Sequence, residues 1–228
     1  MRRRKALWGI LGLGSTFILS NCTDDAIALA VFFGDSITVG QGASSTAKRW
    51  SSLVAKFISL KEINRGISGT VLQNSYPVLS NNGTDRYQDD IVPFKPAKVF
   101  ILYGLNDLRY NGANFSVSAY QIDLDKVVSG LILAGFASTH ITVGSPPYMI
   151  PSCYDEDFPF NAGSITKHQQ YRDASKAVAV ANNCKWADVY QAMLNNGGDS
   201  LISPDKVHPN DTGHQLIANT LLAAAVLT

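Results

Sequence analysis

Four short stretches of the chain carry residue types that could do chemistry together. Gly34-Asp35-Ser36 stops an apolar run at residues 27–33. Arg65-Gly66-Ile67-Ser68-Gly69 and Gly104-Leu105-Asn106-Asp107 are glycine-punctuated turns further on, and Asp205-Lys206-Val207-His208-Pro209-Asn210 lies near the carboxyl end. Attack on a carbonyl needs a nucleophile, a base to take its proton, a group to orient the base, and donors for the oxyanion. A lone serine is a poor nucleophile at neutral pH. An imidazole within hydrogen-bond reach corrects that, because it titrates near the working pH. Ser36 is the candidate nucleophile, His208 the base and Asp205 its orienting carboxylate. Asn106 is the candidate side-chain oxyanion donor, joined by the backbone amides of Gly66 and Ser36. Each stretch also has an ordinary reading by itself. Gly/Asp/Ser clusters make turns, Asn106-Asp107 can cap a helix, and Gly66 can answer a need for positive φ.

A second Asp-x-x-His spacing competes at Asp211-Thr212-Gly213-His214. Asn210 or Asp211 is the expected N-cap of the last helix, which commits that side chain to backbone amides and puts His214 in the first turn. Pro209 disfavours helical geometry at His208 and leaves its ring on a loop. His208 is therefore preferred. His140, just ahead of a strand, and His168, inside a helix, are read as structural or exposed.

These pieces need elements to hold them. Apolar strand-like runs alternate with helical patterns, which argues for a parallel sheet covered by helices on both faces. Strands are expected at residues 27–33, 98–103, 140–143 and 185–190, with a poorly marked one at Ile63-Asn64. Helical spacing of Trp50, Leu53, Val54, Phe57 and Ile58 predicts a helix over 45–60. Further helices are expected over 70–80, 116–134, 164–183 and 211–227. In the 116–134 segment Val117, Tyr120, Leu124, Val127, Val128 and Leu131 share one face, and Gly135 ends it. Residues 144–163 form a long loop rich in aromatics, including Tyr148, Tyr154, Phe158 and Phe160. Loops of that length are commonly functional, and this one suits a cleft wall.

Composition narrows the classes. With 228 residues, 46% hydrophobic and 16% charged, the chain is ordinary globular material for one domain. A net charge of +1 gives no electrostatic case for nucleic acid. No CxxC or HExxH occurs, so a metal site has no sequence support. Met1-Arg2-Arg3-Arg4-Lys5 followed by an apolar run to Leu19 has the form of an export signal over 1–22, too short to span a membrane comfortably. The folded domain is then 27–228. Leu19-Ser20-Asn21-Cys22 resembles a bacterial lipoprotein processing site, with Asn21 where that pattern prefers a small residue. Membrane anchoring through a lipidated Cys22 thus stands beside simple secretion. An exported protein is in a compartment that permits a Cys153–Cys184 disulfide, but sequence alone does not bring the two together.

Taken in order, the four stretches resemble the blocks of the SGNH hydrolase superfamily, the GDSL esterases and lipases, with Ile37 in place of the leucine of that name. The resemblance spans about residues 27–228. It implies a three-layer α/β/α sandwich with a flavodoxin-like parallel sheet of order 2-1-3-4-5. It implies Ser36, His208 and Asp205 as a triad, Gly66 and Asn106 with the Ser36 amide as oxyanion donors, and no cofactor. The implied activity is hydrolysis of carboxylic esters. The superfamily holds lipases, lysophospholipases, thioesterases and carbohydrate deacetylases. With an export signal, acetylated carbohydrate comes first as substrate and short-chain esters second. A non-catalytic glycan- or protein-binding module of this fold is the rival. The complete set of Ser36, Asn106, Asp205 and His208 argues against it.

Overall fold

Leu29–Gly34 (β1) is the apolar run seen in the sequence, and it is buried on both faces. In the computed structural model, which describes residues 28–75 and 79–226, it pairs in parallel with Lys61–Gly66 (β2) on one side and Lys98–Leu102 (β3) on the other. Ile141–Gly144 (β4) and Lys185–Ala187 (β5) extend the sheet to the order β2-β1-β3-β4-β5. The stretch expected to be an export signal, residues 1–22, and Cys22 lie outside the described residues. Among the described residues no helix is long and apolar enough to cross a membrane.

Parallel strands need long crossovers, and helices supply them. The α-helices among the described residues are Ser36–Val39 (α1), Trp50–Phe57 (α2), Gly83–Ile91 (α3), Leu105–Arg109 (α4), Val117–Leu133 (α5), Ile165–Ala181 (α6), Val189–Asn195 (α7) and Asp211–Val226 (α8), the last two following the final strand. Successive strand residues face opposite ways. Phe32 meets Trp50 of α2 edge-on and stacks on Phe100, while Phe33 meets Tyr103 and the Arg86 guanidinium of α3. One layer accordingly holds α2, α7 and α8, and the other α3, α5 and α6, around a single apolar core.

Four local expectations change. The described residues of the 70–80 stretch, 70–75 and 79–80, do not form a helix. The buried Asp107 carboxylate takes the Leu72 and Gln73 amides at 2.8–3.0 Å. The Val71 and Leu72 carbonyls take the Gly83 and Thr84 amides. Those bonds leave no i to i−4 ladder, and the helix starts instead at Gly83. The 45–60 helix is shortened to α2 by a 3₁₀ turn, Thr46–Lys48, and an extended Arg49 whose side chain reaches Val39, Ser52 and Glu62. Strand β2 runs for six residues, longer than its marks suggested, because a half-buried edge strand tolerates Glu62, Asn64 and Arg65. The last strand stops at Ala187, where Asp188 caps the unforeseen α7 by accepting from the Gln191 amide. Cys153 and Cys184 are both unpaired.

The long loop after β4 is moored by its aromatic residues. Tyr148, Met149 and Tyr154 are buried, and Phe158 is exposed. Tyr154 donates from its hydroxyl to His168 Nδ1 at 2.7 Å, and His168 Nε2 donates to the Pro146 carbonyl at 3.1 Å. Burial holds the His168 pKa down at about 4, against a weaker upward pull from the Pro146 bond. The unfolded chain therefore binds more protons here between about pH 6.5 and 4. Stability from this group is complete above pH 6.5 and is lost as pH falls toward 4, by roughly 3 kcal/mol. Urea denaturation from pH 7 to 4 should show a shallower acid loss in His168→Gln than in the parent. Parallel curves for the two proteins would refute this.

Candidate active site

Where β1 ends, Asp35 leaves the strand conformation and caps α1, its side chain accepting from the Ile37 amide at 3.0 Å. Ser36 is then the first residue of a four-residue helix closed by Gly40 in the left-handed region. Its amide has no partner among the described residues. The turn is tight. A Cβ on Gly34 would lie 2.4 Å from the Leu102 carbonyl oxygen and 2.1 Å from Thr38 Oγ1, so only glycine fits.

His208 arrives from the other end of the chain. An isolated bridge between Ile202 and Pro209, with the Ser203 amide on the His208 carbonyl, holds the loop. Asp205 Oδ1 accepts the Val207 and His208 amides at 3.0 and 2.9 Å, and Lys206 takes a left-handed φ of 64° to close this turn. The other oxygen, Oδ2, lies 2.7 Å from His208 Nδ1. His208 Nε2 lies 2.9 Å from Ser36 Oγ. Burial pushes the Asp205 carboxyl up, but the two amides and the imidazole outweigh it and leave the group below its ordinary value. An ionised Asp205 requires the proton on Nδ1, so Nε2 is left to accept from the serine hydroxyl.

His214 is elsewhere. It is buried between helices, where Nδ1 accepts from the Trp50 amide and Nε2 donates to the Gln41 carbonyl. Asn210 caps α8, and Asp211 binds the amide and hydroxyl of Ser44 instead. His140 is exposed and His168 belongs to the loop anchor.

The oxyanion side is built around Asn106, which donates from Nδ2 to the Thr70 carbonyl at 2.9 Å. Its neighbour Asp107 pins the start of the irregular stretch that follows Thr70. Gly66 needs correcting as an amide donor, because its N–H is given to Asn64 Oδ1 at 2.9 Å. The reason for glycine here is packing. A Cβ would lie 2.4 Å from the Val39 nitrogen and 2.9 Å from the Asp35 carbonyl oxygen, inside the nucleophile turn. Asn64 also donates to the Thr38 carbonyl and to Ser51, tying β2 to α1. In the same turn, Gly69 is exposed at a φ of 75°, with an amide that bonds nothing among the described residues.

The loop after β4 reaches both halves of the site. The Ile150 amide binds the Lys206 carbonyl beside the imidazole loop, and the Ala162 amide binds the Arg109 carbonyl at the end of α4. A literal Gly198-Asp199-Ser200-Leu201 also occurs. It forms a 3₁₀ turn in which the Ser200 hydroxyl donates to the Gly197 carbonyl, so the tetrapeptide alone does not mark the site. Among the described residues no three His, Cys, Asp or Glu side chains gather to hold a metal.

A serine under an imidazole, at the carboxyl ends of a 2-1-3-4-5 parallel sheet, defines the class of ester hydrolases built on a flavodoxin-like sandwich. The chain belongs to the GDSL-like lipase/acylhydrolase family, whose model matches residues 32–216. Solved structures share the fold. A lipase/acylhydrolase from Enterococcus faecalis is 23% identical, with a TM-score of 0.69, over 86% of this chain and 94% of that one. An acetyl xylan esterase variant from Geobacillus stearothermophilus is 22% identical, with a TM-score of 0.66, over 87% and 94%. LAE5, an alpha/beta hydrolase enzyme from the metagenome of Lake Arreo, Spain, is 24% identical, with a TM-score of 0.64, over 87% and 94%. No curated protein matches the chain in sequence.

The packing of Gly66 against α1 has a measurable consequence. Gly66→Ala should cost about 1–3 kcal/mol of stability by overpacking, and at least about tenfold in ester turnover by displacing Ser36. Parent-like values in both urea denaturation and steady-state kinetics would show that α1 does not rest on this glycine.

Proposed function

We propose that the chain is a serine esterase that works through an acyl-enzyme. The observation that carries this reading is the hydrogen-bonded run Ser36 Oγ, His208 Nε2, His208 Nδ1 and Asp205 Oδ2, at 2.9 and 2.7 Å. Ser36 attacks the ester carbonyl as His208 takes its proton, and Asp205 stabilises the imidazolium that forms. The Asn106 side chain and the Ser36 amide hold the oxyanion. The open amide of Gly69 is the third donor in place of Gly66. His208 then protonates the leaving alcohol. Water, activated by the same imidazole, attacks the acyl-enzyme carbonyl and releases the acid. No step calls for a metal or organic cofactor.

For substrate we infer acetylated carbohydrate outside the cytoplasm, with short-chain esters next. The basic and apolar start of the chain supports export, and Cys22 would anchor the enzyme if lipidated. The fold-level likeness to an acetyl xylan esterase is in keeping with a carbohydrate ester. The half-buried Phe160 and exposed Phe158 on the loop after β4 offer flat apolar surface that suits a sugar face.

The test is acid release from a panel of nitrophenyl acetate, longer acyl esters and acetylated xylan. Ser36→Ala should abolish turnover of every member while remaining folded. Asn106→Ala should lose about 10²–10³-fold in kcat, the usual cost of an oxyanion donor. Acetyl esters should be preferred; a preference for long acyl chains would reassign the enzyme as a lipase. Acid release by the folded parent no faster than that by folded Ser36→Ala, both at the uncatalysed background, would leave the binding module as the reading.

A further inference from the structure

We propose that Arg86 is a positioning residue for acyl transfer, holding the nucleophile turn and the oxyanion loop at a common height. Arg86 lies on α3, beneath the site and 8% exposed. Its Nη2 donates to the Gly34 carbonyl at 2.9 Å, two residues before Ser36, and its Nη1 donates to the Arg65 carbonyl at 3.0 Å, next to Gly66. The same guanidinium donates to the Tyr103 hydroxyl, just past the end of β3. One planar group thus binds the exits of β1, β2 and β3.

The connection continues to the oxyanion side. Thr70 Oγ1 donates to the Ile67 carbonyl at 2.7 Å, so it is left to accept from Tyr103 at 2.9 Å, and Tyr103 in turn accepts from Arg86. The donor direction is the same at each step. The Thr70 carbonyl receives the Asn106 side chain. Arg86 therefore reaches Ser36 through Gly34 and reaches Asn106 through Tyr103 and Thr70, touching neither reacting atoms nor substrate. Phe33, 4.3 Å under the guanidinium, and Asp90, one turn along α3, hold the side chain in place.

Stability alone is a weak reason for such a residue. The Nε hydrogen is buried without an acceptor among the described residues. A buried ion pair replaced whole by apolar side chains is often neutral in stability, whereas removal of Arg86 alone leaves Asp90 without this partner, so the positioning role is read from kcat beside a stability control. The fork of donors is what an apolar residue or a lysine does not reproduce.

The full chain is assayed on nitrophenyl acetate beside Arg86→Met, Arg86→Lys and Tyr103→Phe. Arg172→Met, which breaks the pair with Asp188, serves as a stability control. Arg86→Met should lower kcat about 10²-fold with KM within about twofold, the scale of a small misplacement remote from the chemistry. Arg86→Lys should recover only part of this. Tyr103→Phe, which keeps the ring and removes the hydroxyl's bonds to Arg86 and Thr70, should lower kcat about fivefold. Affinity for an arylboronic acid, whose tetrahedral Ser36 adduct places an oxygen in the oxyanion site, should fall in step with kcat. Parent-like kcat and boronate affinity in Arg86→Met and Tyr103→Phe overturn the proposal, as does an equal kcat loss in Arg172→Met. If Arg86→Met does not fold, Tyr103→Phe decides by the same two readouts. The inference rests on Ser36 as nucleophile, so Ser36→Ala is measured alongside. An active Ser36→Ala would sink the esterase mechanism, whereas an inactive one with unaffected Arg86 and Tyr103 variants sinks this inference alone.

Discussion

The parallel pairing of β1 with both β2 and β3 is the constraint on which the rest of the molecule depends. In register, Gly34 lies opposite Gly66 on one side and Leu102 on the other. Three strands therefore end at one level, and the turns that leave them start at one height. This is why Ser36, the Gly66–Gly69 turn and Asn106 meet although 70 residues of chain separate the first from the last. A slip of one residue in either ladder would turn side chains to the wrong face and break the meeting. The two glycines at the strand ends are part of the same constraint, since each lies where a Cβ would strike backbone.

Beneath that level the protein buries more charge than an apolar core would call for. Burial raises the Asp35 carboxyl to about 7, against the Ile37 amide bond, with Asp107 adding to the rise and Arg86 opposing it. Burial likewise raises Asp107 to about 6, against the Leu72 and Gln73 amides. Such groups cost stability unless their hydrogen bonds are made. Here the bonds are made to backbone that carries function. Asp35 shapes the turn at Ser36, Asp107 shapes the strand-exit loop beside Asn106, and Arg86 ties the strand exits together. His208 and Asp205 are mounted differently. They sit on a surface loop closed by its own amides, where the imidazole stays in reach of solvent and substrate.

Much of this was legible from residue order. Strands β1, β3 and β4 announced themselves as short apolar runs, and the helices α5, α6 and α8 by their periodicity. Pro209 after His208, and Asn210 at a helix start, were enough to prefer one Asp-x-x-His pair over its neighbour. The failures are of one kind. The helix expected over 70–80 was lost to a carboxylate 35 residues away, and β2 looked weak because an edge strand buries only half its surface. Gly66 is not an open amide donor, because the Asn64 side chain two residues earlier takes its hydrogen.

The sequence by itself therefore determined which chemical groups are present, their order along the chain, and the alternation of strand and helix that places them at one edge of a parallel sheet. Those properties are local, set by hydrophobic period, turn residues and caps. Only the tertiary structure brought His208 within 2.9 Å of Ser36, decided which amides remain open, and gave the packing reason for Gly34 and Gly66. A hydrogen bond given to one partner is withheld from another. That allocation depends on groups far apart in sequence: Asp107 takes the Leu72 amide, and Thr38 and Ser51 hold the Asn64 side chain that takes the Gly66 amide, once the strands are in register.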